Sequence, residues 1–403
     1  MLITDMKKAF DDIVVLDFTR YLTGPYASYL LGHMGAYVIK VEKPYVGEDF
    51  RQFPPFYNGE SLAYPLCAAN KRSICMNLRD DRAKELLLEL LPHIDILMQN
   101  FRTGTIEKMG FDWETIHKIN PRLIMANFSA FGQYGPYSRR LAFDSIIQSE
   151  TGLTNAICEE SGGKPYYPGG DNSGFMGALC YASAIAAAIN ERDRTGEGTY
   201  LDIDMMSAVV NMFSPELSLH EAAGFPQKIH NFAPFSFYRD ASGRFIQITC
   251  PEPLWQEFKA VVADPELDSE RFATLADRRE HKAELDAAVE RWSAQRAGEE
   301  ICALLEAKGI GAGIVRNYKD LPVNEHVQAT DALKYIDVPY VGKVPYPEVP
   351  LHMSESPIQY GKVSKIGEDN YEVFHQLLNK THEEVSELLA AGVLYQAEHS
   401  TLK

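Results

Sequence analysis

The chain has 403 residues, 45% hydrophobic and 24% charged, the make-up of a globular protein with room for about two or three domains. Its 39 Lys and Arg against 56 Asp and Glu give a net charge of -17, which excludes a nucleic-acid binder working through clustered cations. Its six cysteines show no C-x-x-C pair and no Cys/His cluster at zinc spacing, so neither a structural metal nor a disulfide scaffold is expected.

Residues 1–16 mix acids and bases without the apolar core or cleavage site of a signal peptide, and a cytoplasmic protein is expected. Residues 14–18 read as a buried strand, Pro25 as the first residue of a helix that Gly35 ends, and residues 38–41 as the next strand. That is a βαβ unit. After a loop-rich stretch over 44–65, the pattern predicts a helix over 81–91, a strand over 94–98, a helix over 113–119 and a strand over 123–128. Such alternation predicts an α/β fold, a Rossmann-like large domain with a mainly parallel sheet. Residues 172–190 are long and uncharged enough to suggest a membrane span, but they are built mostly from Ala, Ser and Gly, so a buried helix is expected and no membrane partner.

Farther on, residues 232–249 read as a hairpin turning at Ala241, Ser242 and Gly243, and helices are predicted over 254–262 and 282–308. These form a smaller α+β domain. The proline-rich run 344–350 reads as a connector, and 371–392 as an amphipathic helix. The expected boundaries are 1–215 for the first part of the large domain, 226–325 for the small one, and 326–403 for a connector and return to the large domain.

Parallel sheets bind ligands beyond the carboxyl ends of their strands. The loops so placed are residues 19–24, 43 onward, 99–105 and 129–138. The first lacks G-x-G-x-x-G, and the chain has no Walker loop and no G-x-S-x-G elbow, which weakens the dehydrogenase, ATPase and serine-hydrolase readings. Around these loops stand Lys40, Lys43, Lys71, Arg72, Arg102 and Lys108, each of which alone is ordinary surface; together, on an acidic chain, they point to a phosphate-bearing cofactor. Gly169 and Gly170 precede Asp171, which stands just before the long helix. Asp171 reads as a helix N-cap and, at the same time, as a nucleophile kept ionised by the helix N-terminus, with room left for substrate by the glycines.

In this order the pieces resemble the family III CoA-transferases, relatives of formyl-CoA transferase and carnitine CoA-transferase. The matching strings include DFTRYLTGPYASYLLGHMGAYVIKVEKP, ANKRSICMNL, QNFRTGTIEKMGFDWETIHKINPRLIMANFSAFGQYGPY and GGDNSGFMGALCYASAIAAAINERDRTGEGTYLDIDM. The resemblance implies Asp171 as the catalytic aspartate and Tyr21, Leu22, Thr23, Lys43, Met76, Asn100, Phe101 and Lys108 as contacts to coenzyme A, with Lys at 43 and 108 where relatives often carry Arg. It implies an acyl-CoA thioester as co-substrate, a carboxylic acid acceptor, no prosthetic group or metal, and an interlocked homodimer. The transfer it implies runs through an aspartyl mixed anhydride and an aspartyl-CoA thioester, with Gly169, Gly170, Phe131 and Gly132 around the oxyanion. The tetraglycine loop of the formyl-CoA branch has no counterpart between residues 210 and 240, which points away from a formyl/oxalate preference. Two alternatives stand beside the transferase. One is a 2-methylacyl-CoA racemase of the same fold, which carries a histidine where this chain has Phe143; the other is a noncatalytic nucleotide-binding module.

Overall fold

The computed structural model describes residues 8–155, 158, 164–165, 167, 170–212, 218, 221–222, 232–358 and 360–397. Two compact units divide the chain: Met1–Ser218 with Asp331–Lys403, and Leu219–Thr330.

In the first unit six strands form one sheet: β1 (Val14–Asp17), β2 (Tyr37–Glu42), β3 (Lys71–Cys75), β4 (Ile96–Gln99), β5 (Ile124–Ser129) and β6 (Tyr200–Asp204). They are hydrogen-bonded in the order β3-β2-β1-β4-β5-β6, and every pairing is parallel. Both faces are covered. Val15, Val38, Ile96, Met98, Ile124 and Ala126 enter one hydrophobic core, while Leu16, Ile39, Leu97 and Met125 enter the other. That period of two, with apolar residues on both faces, is why these strands read as continuous apolar runs.

Helices α1 (Thr23–His33), α2 (Asp81–Leu90), α3 (Trp113–Ile119), α4 (Asp144–Glu150) and α5 (Asn172–Thr195) follow the predicted alternation. Helix α2 buries Ala83, Leu86, Leu87 and Leu90, a single stripe at helical spacing, and the Asp80 carboxylate accepts the Arg82 N–H at its start. Helix α5 is the one described helix long and apolar enough to cross a membrane by length and composition. Its Gly177, Ala178, Tyr181, Ala182 and Ile185 are buried in the fold, and the Tyr181 hydroxyl donates to the carbonyl of Ala126 in β5. A Cβ on Gly177 would stand 2.6 Å from Cζ of Phe128, so glycine is what lets α5 lie directly on β5.

The second unit has an antiparallel sheet of Phe232–Arg239, Phe245–Pro251 and Gly311–Ile314 packed against helices that include Trp255–Val262 and Lys282–Ser293. Its hairpin turns on Asp240, whose carboxylate accepts the N–H groups of Ser242 and Arg244 at 2.9 and 2.8 Å.

Four segments differ from the sequence reading. Residues 71–75, not predicted as a strand, form β3 at the sheet edge. The helix predicted over 282–308 is broken between Ser293 and Gly298, where Ala297 is extended. That predicted over 371–392 is two helices, because Asn379 adopts φ 56° and Thr381 starts the second with a capping box to Glu384. The proline-rich connector is partly a strand, Gly342–Pro347, paired with Leu333–Val338. A two-stranded ribbon has an outer edge on which a missing N–H breaks no ladder bond, so Pro345 and Pro347 are tolerated there.

Candidate active site

The strand order reverses between β1 and β4, and the crevice beyond their carboxyl ends is where a sheet of this order takes its ligand. An open cavity of about 670 Å³ lies there. Its walls come from the loops after β1, β2, β4 and β5 and from the start of α5.

The loop after β1 is folded by a buried charge cluster. Asp17, fully buried at the end of β1, accepts the Thr19 N–H at 2.8 Å, the Ser28 hydroxyl at 2.6 Å and the ammonium groups of Lys40 and Lys71 at 3.3 and 3.1 Å. Burial alone would raise its pKa, but the two lysines and the Ser28 and Thr19 hydroxyls outweigh it and hold the carboxyl well below the usual range. Lys40 and Lys71 therefore do structural work inside the molecule, and the expectation that they face a phosphate is corrected. Arg72 likewise pairs with Glu372 at 3.1 Å. The next turn is clamped by Asn100, whose side chain accepts the Arg20 N–H and donates to the Arg20 carbonyl, both at 2.8 Å.

At the opposite wall two carboxylates meet the start of α5. Asp171 occupies the N-cap position, but its side chain makes no capping hydrogen bond. Asp144, the first residue of α4, does that work from outside the helix. It is buried, its Oδ1 accepts the Gly174 N–H at 2.9 Å and the Ser173 hydroxyl, and its Oδ2 lies 2.5 Å from the Gln148 amide and 2.8 Å from the Tyr167 hydroxyl. Asp171 is left exposed on the cavity wall. Lost hydration first, and the like charge of Asp144 second, raise its pKa above the ordinary aspartate value. The reading of Asp171 as an N-cap kept ionised by the helix N-terminus is thus corrected: Asp144 has taken the donors, and the charged form of Asp171 is disfavoured. Gly174 also lets the start of α5 lie close to the loop after β1: a Cβ there would stand 3.3 Å from Oγ1 of Thr23 and 3.4 Å from Cδ2 of Leu22.

Of the site residues that the resemblance implies, Tyr21, Leu22, Thr23, Asn100, Phe101, Phe131 and Asp171 line this one cavity, as does Arg102 among the loop cations. Five of the implied residues do not. Lys43 is paired with Asp49 outside the lining, and Lys108 is exposed at the end of the short helix Thr105–Lys108. Met76 is wholly buried in the second core of the sheet. Gly132, at φ 83°, packs its backbone beside Asp202, and Gly170, at φ 72°, offers its carbonyl to the Tyr167 hydroxyl at 2.6 Å. Gly169 lies outside the described residues. The wall also contains residues to which the sequence reading gave no role: Arg20, Arg139, Arg140 and Asp144, together with Tyr167 from the segment that leads to Asp171. The pair Arg139-Arg140 was the available signal, lying just past the loop 129–138 that topology selects.

A family model described as CoA-transferase family III matches residues 10–370. The chain belongs to CoA-transferase family III. It is 30% identical to a succinyl-CoA–D-citramalate CoA-transferase of Chloroflexus aurantiacus, over 96% of this chain and 98% of that protein. To an acetyl-CoA:oxalate CoA-transferase of Acetobacter aceti it is 31% identical, over 76% of this chain and 80% of the relative. A solved CAIB/BAIF family protein from Brucella suis superposes with a TM-score of 0.81 at 27% identity, covering 92% of this chain and 99% of that one. In this family III CoA-transferase the cations on the cavity wall differ in what holds them. Arg20 is paired with Asp49 at 3.2 Å and Arg140 with Glu150 at 2.5 Å. Arg102 and Arg139 have no ion-pair partner among the described residues and are the guanidinium groups open to an anion.

Proposed function

We propose that the protein moves coenzyme A from an acyl-CoA to a carboxylic acid through covalent intermediates on Asp171. The observation that carries this reading is a carboxylate on the wall of the switch-point cavity, free of the capping bonds that its position would give it, because Asp144 supplies them instead.

The Asp171 carboxylate attacks the thioester carbonyl; the C–S bond breaks and coenzyme A leaves as thiolate, giving a mixed anhydride. The thiolate then attacks the aspartyl carbonyl and expels the donor acid as carboxylate, leaving an aspartyl-CoA thioester. The incoming carboxylate attacks that thioester, releasing thiolate and forming a second anhydride. Attack of the thiolate on the acyl carbonyl of this anhydride gives the new acyl-CoA and free Asp171. Thioester energy is conserved throughout, so no nucleotide is hydrolysed. The raised pKa of Asp171 makes it both a better nucleophile and a poorer leaving group than an ordinary aspartate, which suits the attacking steps. The anhydride needs a dry environment, and Tyr21, Phe53, Phe131 and Phe143 supply apolar wall. Arg102 and Arg139 would take the phosphates of coenzyme A or a second carboxylate of the acid.

The acceptor acids in the names of the two relatives, citramalate and oxalate, each carry two carboxylates, and we extend that to this chain: the acceptor is a dicarboxylate. No histidine lines the cavity among the described residues, which favours transfer over the α-proton exchange of a racemase. The test is a panel of acyl-CoA donors against matched mono- and dicarboxylic acids, read by mass spectrometry of the CoA esters. New acyl-CoA from dicarboxylates, with butyrate slower than succinate, is the expected result. Loss of α-carbon configuration without exchange, or binding without turnover, would contradict it.

A further inference from the structure

Beneath the cavity mouth lies a carboxyl group that the proposed chemistry does not use. Glu48 follows β2, is 3% exposed, and is the only described side chain that holds the backbone of Tyr21: its Oε1 accepts the Tyr21 N–H at 2.6 Å. Its other oxygen is buried and makes no hydrogen bond. Tyr21 itself stands at φ 65°, a left-handed conformation that a non-glycine residue adopts only when its surroundings hold it there. The consequence reaches across the crevice, because the Tyr21 ring packs edge-on against Phe53 at 5.8 Å and Phe143 at 6.0 Å, both on the cavity wall.

A buried carboxylate with one oxygen unsatisfied costs the fold stability, and a neutral acceptor would satisfy the same N–H. What a neutral group does not supply is the strength of a charge-assisted bond, roughly twice that of a neutral one. We propose that Glu48 is a positioning residue for the acyl-CoA substrate, its ionised carboxylate holding the strained Tyr21 turn in the shape that keeps the coenzyme A crevice open. This rests on the coenzyme A reading of the cavity given above.

The groups facing Glu48 are Lys40 and Glu42 of β2, and Tyr64 and Cys67 at the short helix Pro65–Ala68. Burial holds the Tyr64 phenol and the Cys67 thiol neutral, and Arg51 neutralises Glu42 through bonds of 2.7 and 2.8 Å. Glu48 is left as the group of this set that titrates near neutrality: burial pushes it up to about 7 against the pull of Lys40. Its ionisation, and with it the grip on Tyr21, sets in as pH rises through that value.

The experiment compares wild type with Glu48→Gln, whose side chain keeps the acceptor oxygen and the size but not the charge. Affinity for coenzyme A is measured by calorimetry between about pH 5.5 and about pH 8.5. Titration of the ligand phosphate is common to both proteins and cancels in their ratio. We expect equal affinity at the acid end and about fivefold weaker binding by the variant at the alkaline end. A ratio of one throughout, or the same deficit at both ends, overturns the inference; the latter would mark a packing role. Thermal melting supplies a second readout. A raised pKa gives stability that is present at low pH and is lost as pH passes about 7. The melting temperature of Glu48→Gln should therefore gain on wild type as pH rises, and a difference independent of pH would count against an ionised Glu48. Wild type that binds no coenzyme A removes the functional reading itself, and this inference with it.

Discussion

Asp171 and Asp144 have the same side chain and opposite duties, and the difference is one of donors. Asp144 collects the Gly174 N–H, the Ser173 hydroxyl and the Gln148 amide, so its oxygens are satisfied and held in place. Asp171 stands at the helix entrance without a cap bond, under the like charge of its neighbour. Asp171→Asn should abolish CoA exchange while leaving the fold intact. Because the native pKa is raised, the ionised form destabilises the folded protein above the usual aspartate range, so the variant should melt at or above the wild-type temperature at neutral pH. Retained turnover or a collapsed melt would each contradict this. Asp144→Asn keeps an acceptor for Gly174 but removes the charge that helps raise Asp171. The acid limb of kcat against pH should then move to lower pH, which a pH–rate profile checks. An unmoved limb would show that Asp144 serves only as a cap.

Elements were more legible than the bonds between them. The strands β1, β2, β4 and β5 announced themselves as apolar runs, since a parallel sheet covered on both faces needs them. Edge strand β3 did not, because Lys71 and Arg72 read as surface until Asp17, far off in sequence, is seen to pair with Lys71. The same blindness affected the site. Asp171 came from its place before the long helix, and Tyr21, Asn100 and Phe101 from the family resemblance within loops that topology selects, while the pairing that holds Arg20 and the hydrogen bonds to Asp144 depend on tertiary neighbours that no local pattern encodes. Two element-scale predictions follow from the packing. Asp17→Asn leaves Lys40 and Lys71 buried without their counter-ion and should cost about 3–5 kcal/mol in urea unfolding. Gly177→Ala gains up to about 1 kcal/mol of helix propensity. The contact with the Phe128 ring at 2.6 Å should outweigh that, giving a net loss of about 1–2 kcal/mol and a lower urea midpoint. A more stable Gly177→Ala would mean that α5 is free to lift from β5.

At the scale of the whole molecule, the first unit carries Phe53, Phe56, Tyr57 and Leu62 exposed within one short stretch of chain, and a cluster of exposed apolar side chains is the kind of surface that partners cover. Together with the family resemblance this supports a homodimer, and light scattering on the purified protein should give twice the chain mass of 45.3 kDa; a single-chain mass would contradict it. The sheet order, the crevice and the two carboxylates at the head of α5 all bear on one atom group, the side-chain carboxylate of Asp171. The decisive measurement is peptide mass mapping of protein quenched with hydroxylamine during turnover of a competent acyl-CoA. A hydroxamate on Asp171, absent without the thioester, is the expected result. An unmodified Asp171 while product accumulates, or the adduct on another side chain, would contradict it.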